Sequence, residues 1–314
     1  MRTIRTLLKI FVSVGGLAFV LSKVPFSEIS ENWTSSVFLW LVPMLVLTEA
    51  GMLIQANRWK KMSVDGPDIA FRTYYAYIAL GYFFNNLLPG GFGGDIVKSI
   101  SFGKRFGNTS QSVAAIFVSR LLGLMALFVC FFVALPFLKL QREIPAAYHL
   151  LMLAACGVCL LVFALAILSD RMPLPAFLRK KAFLQKMRAS LAVYGKRKNI
   201  LFFAMSDSIW LQLLTIATNI LYFKAVGVSV SWAAVTVFSG IIIIVSMIPV
   251  SINGIGIREG VQVSLYTGLL GIPANIVLSA GLLGYILLLF QIIQGAVVFG
   301  FLKKSPAEPN ASNS

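Results

Sequence analysis

Long runs of apolar residues, separated by short polar or basic stretches, constrain this chain more than any other feature of its sequence. A helix needs about 20 apolar residues to span the hydrocarbon core of a bilayer. The runs that reach or approach this length are Leu7–Leu21, Val37–Leu53, Ser112–Leu138, Tyr148–Leu168, Ile200–Tyr222, Trp232–Ile248 and Ile276–Leu302. Only 12% of the residues are charged, whereas soluble domains have about 25%. The sequence therefore predicts an all-α fold, a polytopic integral membrane bundle.

The basic residues between these runs predict the orientation, because cytoplasmic loops carry an excess of Lys and Arg. With the N-terminus in the cytoplasm, most of the 27 Lys and Arg residues fall inside, and the outer side holds only Lys23, Lys139, Arg142 and Lys224. The short run Val261–Leu270 then crosses outward. We therefore predict about eight crossings of the cell (inner) membrane, with both termini cytoplasmic. No cleavage site follows Leu21, so we expect an uncleaved first helix.

Residues 1–302 are predicted to form one transmembrane domain. Within it, residues 170–198 are strongly basic and predict a cytoplasmic amphipathic segment, in which one helical face carries Phe177, Leu184, Met187, Leu191 and Tyr194. This segment is compatible either with a helix on anionic inner-leaflet lipids or with an ordinary basic loop. The polar tail, residues 303–314, is predicted to be disordered.

Two stretches rich in Pro and Gly interrupt the apolar pattern, one in each half of the chain. The first contains Asn85, Asn86, Pro89, Gly90, Gly91, Gly93, Gly94, Asp95 and Lys98, and the second contains Pro249, Asn253, Gly254, Gly256, Arg258 and Glu259. Because Tyr74–Gly94 lies between two inner basic clusters, we predict a re-entrant hairpin there. Broken helices at membrane depth are tolerated where they line a wet cavity, and paired breaks point to a substrate site. The alternative is a pair of surface loops.

Ionisable residues inside the apolar runs also indicate a polar interior. Glu49, Arg120 and Asp207 lie within predicted helices, and Asp95, Arg258 and Glu259 lie at the breaks. A charge at the centre of a spanning helix costs roughly 2.5–3.5 kcal/mol, so such residues usually face the bundle and find partners. They are interpreted either as a substrate-binding cavity or as structural pairs, for example Arg120 with Asp95 or Glu259.

Several classes of function are disfavoured by the residues present. The net charge of +16 belongs to the loops, so no nucleic-acid partner is expected. The sequence has one histidine, His149, and no Ser–His–Asp set, so we expect no catalytic residues of that kind, no metal and no cofactor. Cys130, Cys156 and Cys159 lie in apolar runs and are interpreted as packing residues.

The two breaks resemble signatures of a known family. LLPGGFGGDIVKS, followed by Arg120 in SRLLGL, and IPVSINGIGIREG are similar to the flippase-like transmembrane region of lysylphosphatidylglycerol synthases, which also occurs as stand-alone proteins. The resemblance implies a polytopic helical protein that binds or translocates a polar lipid. It also implies a site lined by Pro89, Gly90, Gly91, Gly93, Gly94, Asp95, Arg120, Pro249, Gly254, Gly256, Arg258 and Glu259.

The sequence departs from that family at three points. Ser119 stands where an acidic residue often precedes the arginine, Asn253 stands where glycine is common, and the sequence to Ser314 contains no aminoacyl-transfer domain. We therefore expect no aminoacylation by this chain alone.

Three functions remain open from the sequence. The first is a lipid translocase or scramblase that binds a polar or phosphate-bearing head group of a phospholipid or lipid-linked substrate. The second is a membrane-embedded enzyme or enzyme subunit acting on polar lipids or lipid-linked sugars. The third is an anchor or assembly subunit. The sequence does not predict an oligomeric state.

Overall fold

The computed structural model describes residues 33, 35–63, 68–87, 93–107, 109–140, 143–171, 182–248 and 254–304. These residues form ten α-helices and no β-strand. In chain order the helices are α1 (Ser35–Met62), α2 (Phe71–Leu87), α3 (Gly93–Phe106), α4 (Thr109–Ala134), α5 (Ala146–Ile167), α6 (Ala182–Lys196), α7 (Lys198–Ala225), α8 (Trp232–Ser246), α9 (Ile257–Leu270) and α10 (Ala274–Lys304). The predicted all-α fold is confirmed.

Five of these helices, α1, α4, α5, α7 and α10, are long and apolar enough to cross a bilayer. Their outward surfaces carry large exposed apolar side chains such as Phe38, Leu150 and Phe202, an arrangement that suits lipid rather than water. The chain is thus a multi-pass membrane protein. The predicted first crossing, Leu7–Leu21, and residues 305–314 lie outside the described residues, and the count of about eight crossings stays a prediction.

Contacts between α1 and α7 show that these two long helices are antiparallel. Lys61, near the end of α1, forms an ion pair of 3.2 Å with Asp207, in the first half of α7. Gly51 comes earlier in α1 than Lys61, and it faces Leu211, which comes later in α7 than Asp207. We call the end of the bundle where α1 finishes and α7 starts the basic end. At the opposite end α7 finishes and α10 starts.

Two pairs of short helices form hairpins that open at opposite ends of the bundle. The first hairpin is α2 with α3, of 17 and 14 residues. Aromatic rings at its open end, Tyr74 and Phe102, pack on Trp59 near the end of α1, with ring centroids 5.6 and 4.7 Å away. The second hairpin is α8 with α9, of 15 and 14 residues. Tyr266, near its open end, packs on Phe223, close to the end of α7, at 4.5 Å.

The basic segment between α5 and α7 contains a helix, α6, whose apolar face turns toward the bundle. Leu191 and Tyr194 on this face are buried, and the Tyr194 hydroxyl donates a 2.8 Å hydrogen bond to the carbonyl of Met62. Burial raises the pKa of the Tyr194 phenol, so it remains a neutral donor. Helix α6 therefore packs against the last residues of α1 and stabilises their position at the basic end of the bundle. Phe177 lies outside the described residues.

Candidate functional site

The two helices of the first hairpin touch backbone to backbone near the break. The Gly94 N–H donates a 2.8 Å hydrogen bond to the Asn85 side-chain oxygen. A Cβ placed on Gly94 would lie 1.9 Å from the carbonyl oxygen of Gly81, so only glycine permits this approach. The close packing brings the first turn of α3, with Asp95, against α4.

Asp95 is the centre of a buried ionic network, which we call the Asp95 network. Its carboxylate forms a 2.6 Å ion pair with the Lys98 ammonium and a second ion pair with the Arg120 guanidinium. The side chains of Asp95 and Lys98 are 8% and 10% exposed, whereas that of Arg120 is 47% exposed. The pairing of Arg120 with Asp95, one of the two structural pairs considered from the sequence, is therefore present.

Arg58 and Lys61 also make polar contacts inside the bundle, which the sequence analysis did not foresee, and Arg58 lies within electrostatic range of Asp95, Lys98 and Arg120. Arg58 Nη1 donates a 2.7 Å hydrogen bond to the Ser208 hydroxyl, and Lys61 pairs with Asp207. Both basic residues were assigned to a cytoplasmic loop because the apolar run ends at Leu53. Ala56 and Trp59 follow Met52 at steps of four and three residues, which continues the helical spacing past Leu53 and was the available signal.

Glu259 is the centre of a second network, at the start of α9. Its carboxylate accepts hydrogen bonds of 2.7 Å from the Gly256 N–H and 2.7 Å from the Tyr285 hydroxyl, and one of 3.0 Å from Arg258 Nε. Gly256 has a φ of 83°, which favours glycine. Glu259 thereby satisfies the N–H of the N-cap residue of the helix that follows the break. We call this the Glu259 network.

The two networks lie at similar depths, measured from opposite ends of the bundle. Arg120 is 11 residues from the start of α4 at the basic end, which is about 16 Å along the helix axis. Tyr285 is 11 residues from the start of α10 at the opposite end, again about 16 Å. Both breaks therefore place charged groups well inside the helical part of the bundle.

Glu49 and Asp207 belong to neither network. Glu49 accepts a 2.6 Å hydrogen bond from the Tyr75 hydroxyl and a 2.7 Å hydrogen bond from Gln294. Asp207 contacts Lys61 at 3.2 Å. The structure thus distributes the predicted ionisable residues over separate polar contacts and does not gather them at one point.

A cavity of about 340 Å³ lies among α1, α2, α7, α8, α9 and α10. Tyr82 in its lining belongs to the first hairpin, and Arg258 in its lining belongs to the second. Its neutral polar lining includes Gln55, Thr215, Thr218, Asn219, Gln262 and Gln291. Along α7 the lining runs from Leu211 to Tyr222, which is about 16 Å. Leucine and isoleucine side chains complete the lining, so residues of both hairpins border one cavity of mixed polar and apolar character.

Among the described residues of the predicted site, Arg258 alone lines this cavity. Other residues of the predicted site lie at helix ends. Gly93 and Gly94 are the first residues of α3, Gly254 precedes α9, and Asn86 lies in the last turn of α2. Pro89, Gly90, Gly91, Pro249 and Asn253 lie outside the described residues.

Most cavity residues were missed by the sequence analysis because they are uncharged and lie within apolar runs. Their spacing in the sequence was the signal that could have identified them. Thr215, Thr218, Asn219 and Tyr222 recur at steps of three, one and three residues along α7, which places them on one helical face. A polar stripe in a spanning helix faces the bundle interior rather than lipid.

The family model for the lysylphosphatidylglycerol synthase TM region matches residues 6–295. The chain belongs to this family. No curated protein and no solved structure matches the chain significantly. Membership in the lysylphosphatidylglycerol synthase TM region family agrees with the resemblance seen at the two breaks and indicates a function related to membrane lipids.

In this member of the family, Gly94→Ala is expected to destabilise the protein by about 1–3 kcal/mol, because overpacking forces a backbone shift. The new methyl would collide with the Gly81 carbonyl and separate α2 from α3. Thermal unfolding of the purified protein in detergent measures the effect. Gly123→Ala is the matched control, since a Cβ on Gly123 has nothing within 4 Å. Equal midpoints for the two variants would contradict the described hairpin contact.

Proposed function

We propose that this protein is a lipid translocase of the scramblase or flippase type. A polar or phosphate-bearing head group would pass through the cavity between the two hairpins while the acyl chains stay in lipid. The observation that carries the proposal is the cavity itself, whose lining contains Arg258 and several neutral polar groups. Binding pockets of about 300–1,000 Å³ are typical for small ligands, so a cavity of about 340 Å³ suits a head group.

The arrangement of the hairpins supports this proposal. Paired helix breaks that approach a polar site from opposite ends are typical of transporters that alternate access between two sides. The Asp95 network lies toward the basic end and the Glu259 network toward the other, and residues of both hairpins line the cavity. Arg120, whose side chain is 47% exposed, would attract an anionic head group on the basic side, with Lys98 held beside it.

We also propose that the protein lies in the cell (inner) membrane with its basic end in the cytoplasm. The last turns of α1 and α3 carry Lys60, Lys61, Lys104 and Arg105. Segments rich in Lys and Arg at the ends of membrane spans stay on the cytoplasmic side. Anionic inner-leaflet lipids would then gather at this end, where each basic residue near the surface contributes about 1 kcal/mol.

Reconstituted protein is expected to move acyl-labelled phosphatidylglycerol between leaflets. In a dithionite assay, liposomes with protein should lose more fluorescence than empty liposomes, in which only the outer leaflet is bleached. Arg258→Gln should slow this movement by about tenfold or more, because a charge-assisted hydrogen bond to phosphate contributes about 1.5–3 kcal/mol. Lys224→Gln, which removes one exposed cation at the end of α7, is the matched control and should transport normally.

If wild-type protein moves no labelled lipid beyond the empty-liposome level, whatever its head group, the translocase proposal is wrong. If Arg258→Gln and Lys224→Gln transport equally fast, the cavity is not the path.

A further inference from the structure

We infer that the basic side of the bundle holds a binding site for a phosphomonoester, a phosphate group that carries close to two negative charges. The site is formed by Arg58, Lys98 and Arg120 around Asp95. The inference deepens the proposed translocase function, on which the use of the site in transport rests, because it names the substrate class as a lipid that ends in a bare phosphate. It comes from the charges of the Asp95 network and of Arg58, and it does not depend on the cavity.

Positive charge exceeds negative charge in this part of the described structure. Asp95 is the shared partner of Lys98 and Arg120, so one carboxylate faces two cations. Arg58 is a third cation within electrostatic range of all of them, and its guanidinium bonds the Ser208 hydroxyl, which carries no charge. Three positive charges against one negative charge give this group a net charge of +2.

Neighbouring ionic groups do not cancel this excess. Lys61 and Asp207 form an ion pair of 3.2 Å, so together they add no net charge. At the second break, Arg258 and Glu259 form an ion pair of 3.0 Å, so that network is neutral as a whole. For the described part of the bundle interior, the positive excess therefore lies on the basic side. Charges enclosed in a protein are normally paired, which makes an anionic ligand the expected complement.

The number and kind of these cations suit a phosphomonoester. They come from three different helices, α1, α3 and α4, and a phosphomonoester presents three terminal oxygens. A guanidinium binds phosphate oxygens through parallel hydrogen bonds, whereas an ammonium acts as a point charge. At neutral pH a phosphomonoester carries a charge of about −1.5 to −2 because its second pKa is about 6. A phosphodiester, with one negative charge, would leave part of the excess uncompensated.

Arg120 is the part of the network that a ligand can reach. Its side chain is 47% exposed, although it lies 11 residues inside α4. A charged group at such depth faces water or a polar ligand rather than hydrocarbon. The side chains of Asp95 and Lys98 are 8% and 10% exposed, so they are enclosed by protein. Asp95 is thus a positioning residue, which holds Lys98 and Arg120 in place and does not itself bind the phosphate.

The test measures lipid binding to the purified full-length protein in an uncharged detergent. Short-chain phosphatidate ends in a phosphomonoester, and short-chain phosphatidylglycerol has the same acyl chains and a phosphodiester. The rise of the thermal unfolding midpoint with lipid concentration gives the affinity of each. Wild-type protein is expected to bind phosphatidate about tenfold more tightly, as one additional charge-assisted contact gives.

Arg58→Gln is the decisive variant because it removes one of the three cations and keeps a side chain that can bond the Ser208 hydroxyl. It should weaken phosphatidate binding by about tenfold and phosphatidylglycerol binding by less, so that the preference disappears. Arg72→Gln removes an exposed arginine in the first turn of α2 and is the matched control, which should keep the preference. The midpoint without lipid checks that each variant is folded. Arg120→Gln, at the exposed side of the site, makes the same test if Arg58→Gln does not fold.

The outcomes separate this inference from the translocase proposal. Equal affinities for the two lipids, or a folded Arg58→Gln protein that keeps the preference, would overturn the phosphomonoester site and leave the translocase proposal standing. Selective binding of phosphatidate by a protein that moves no lipid in liposomes would overturn the translocase proposal and leave the site standing. Inorganic phosphate and glycerol phosphate are the soluble probes. If either binds as tightly as phosphatidate, the phosphomonoester chemistry is kept and the lipid as its source is overturned.

Discussion

Asp95→Asn is expected to lower the free energy of unfolding by about 3–5 kcal/mol, because removing one partner of a buried ion pair leaves an uncompensated charge. The stranded group is chiefly the Lys98 ammonium, whose side chain is 10% exposed. Arg120 contributes less, since its side chain is 47% exposed and water can compensate it. The substitution is expected to destabilise the protein both in detergent and in a bilayer, and the midpoint of thermal unfolding measures this destabilisation.

Asp68→Asn is the matched control for this change. Asp68 pairs with Lys60 at 3.6 Å, but the two side chains are 94% and 42% exposed. An exposed pair of this kind contributes about 0–1 kcal/mol, so its loss should barely move the midpoint. The double variant Asp95→Asn/Lys98→Met should recover much of the stability, because it also removes the buried ammonium. Equal midpoints for Asp95→Asn and Asp68→Asn would show that the Asp95 network does not hold the first hairpin.

The sequence predicted the all-helical membrane fold and the polar character of both breaks because these depend on local patterns. A run of about 20 apolar residues has one stable solution in a bilayer, a helix that satisfies its own backbone. Charges inside such runs need partners, and Asp95 with Arg120 is a pair anticipated on that ground. The sequence also predicted a hairpin over Tyr74–Gly94, whereas the second arm of the hairpin in the structure is α3, Gly93–Phe106, which the basic residues near its end had assigned to a loop.

The cavity could not be predicted in the same way because it depends on how helices far apart in sequence pack. Tyr82, Tyr222 and Gln262 come from α2, α7 and α9, and nothing local in the sequence places their side chains around one space. The predicted grouping of all ionisable residues around one pocket also differs from the structure. Glu49 bonds Tyr75 and Gln294 instead, because a buried carboxylate takes the nearest donors that the packing offers.

Thr215→Trp is expected to stop lipid translocation by filling the cavity. Thr215 lines the cavity on α7, and an indole ring placed there would occupy the space that a head group needs. The side chain is not part of the Asp95 or Glu259 network, so the fold should survive the change. Asn219→Trp, one turn further along the same face, is a second plug at a different depth. Thermal unfolding of each variant checks that it is folded.

Leu213→Trp is the matched control on the same helix. Leu213 is 44% exposed and does not line the cavity. Two residues along a helix correspond to a turn of about 200° around its axis, so this side chain points away from Thr215. The substitution therefore adds the same indole ring on the opposite face of α7.

The initial rate of phosphatidylglycerol translocation by Thr215→Trp and Leu213→Trp, measured side by side in liposomes, is the most direct test that head groups cross through this cavity. Leu213→Trp is expected to move lipid at the wild-type rate, and Thr215→Trp is expected to fall to the level of empty liposomes. A folded Thr215→Trp protein that moves lipid as fast as Leu213→Trp would show that head groups do not cross through this cavity.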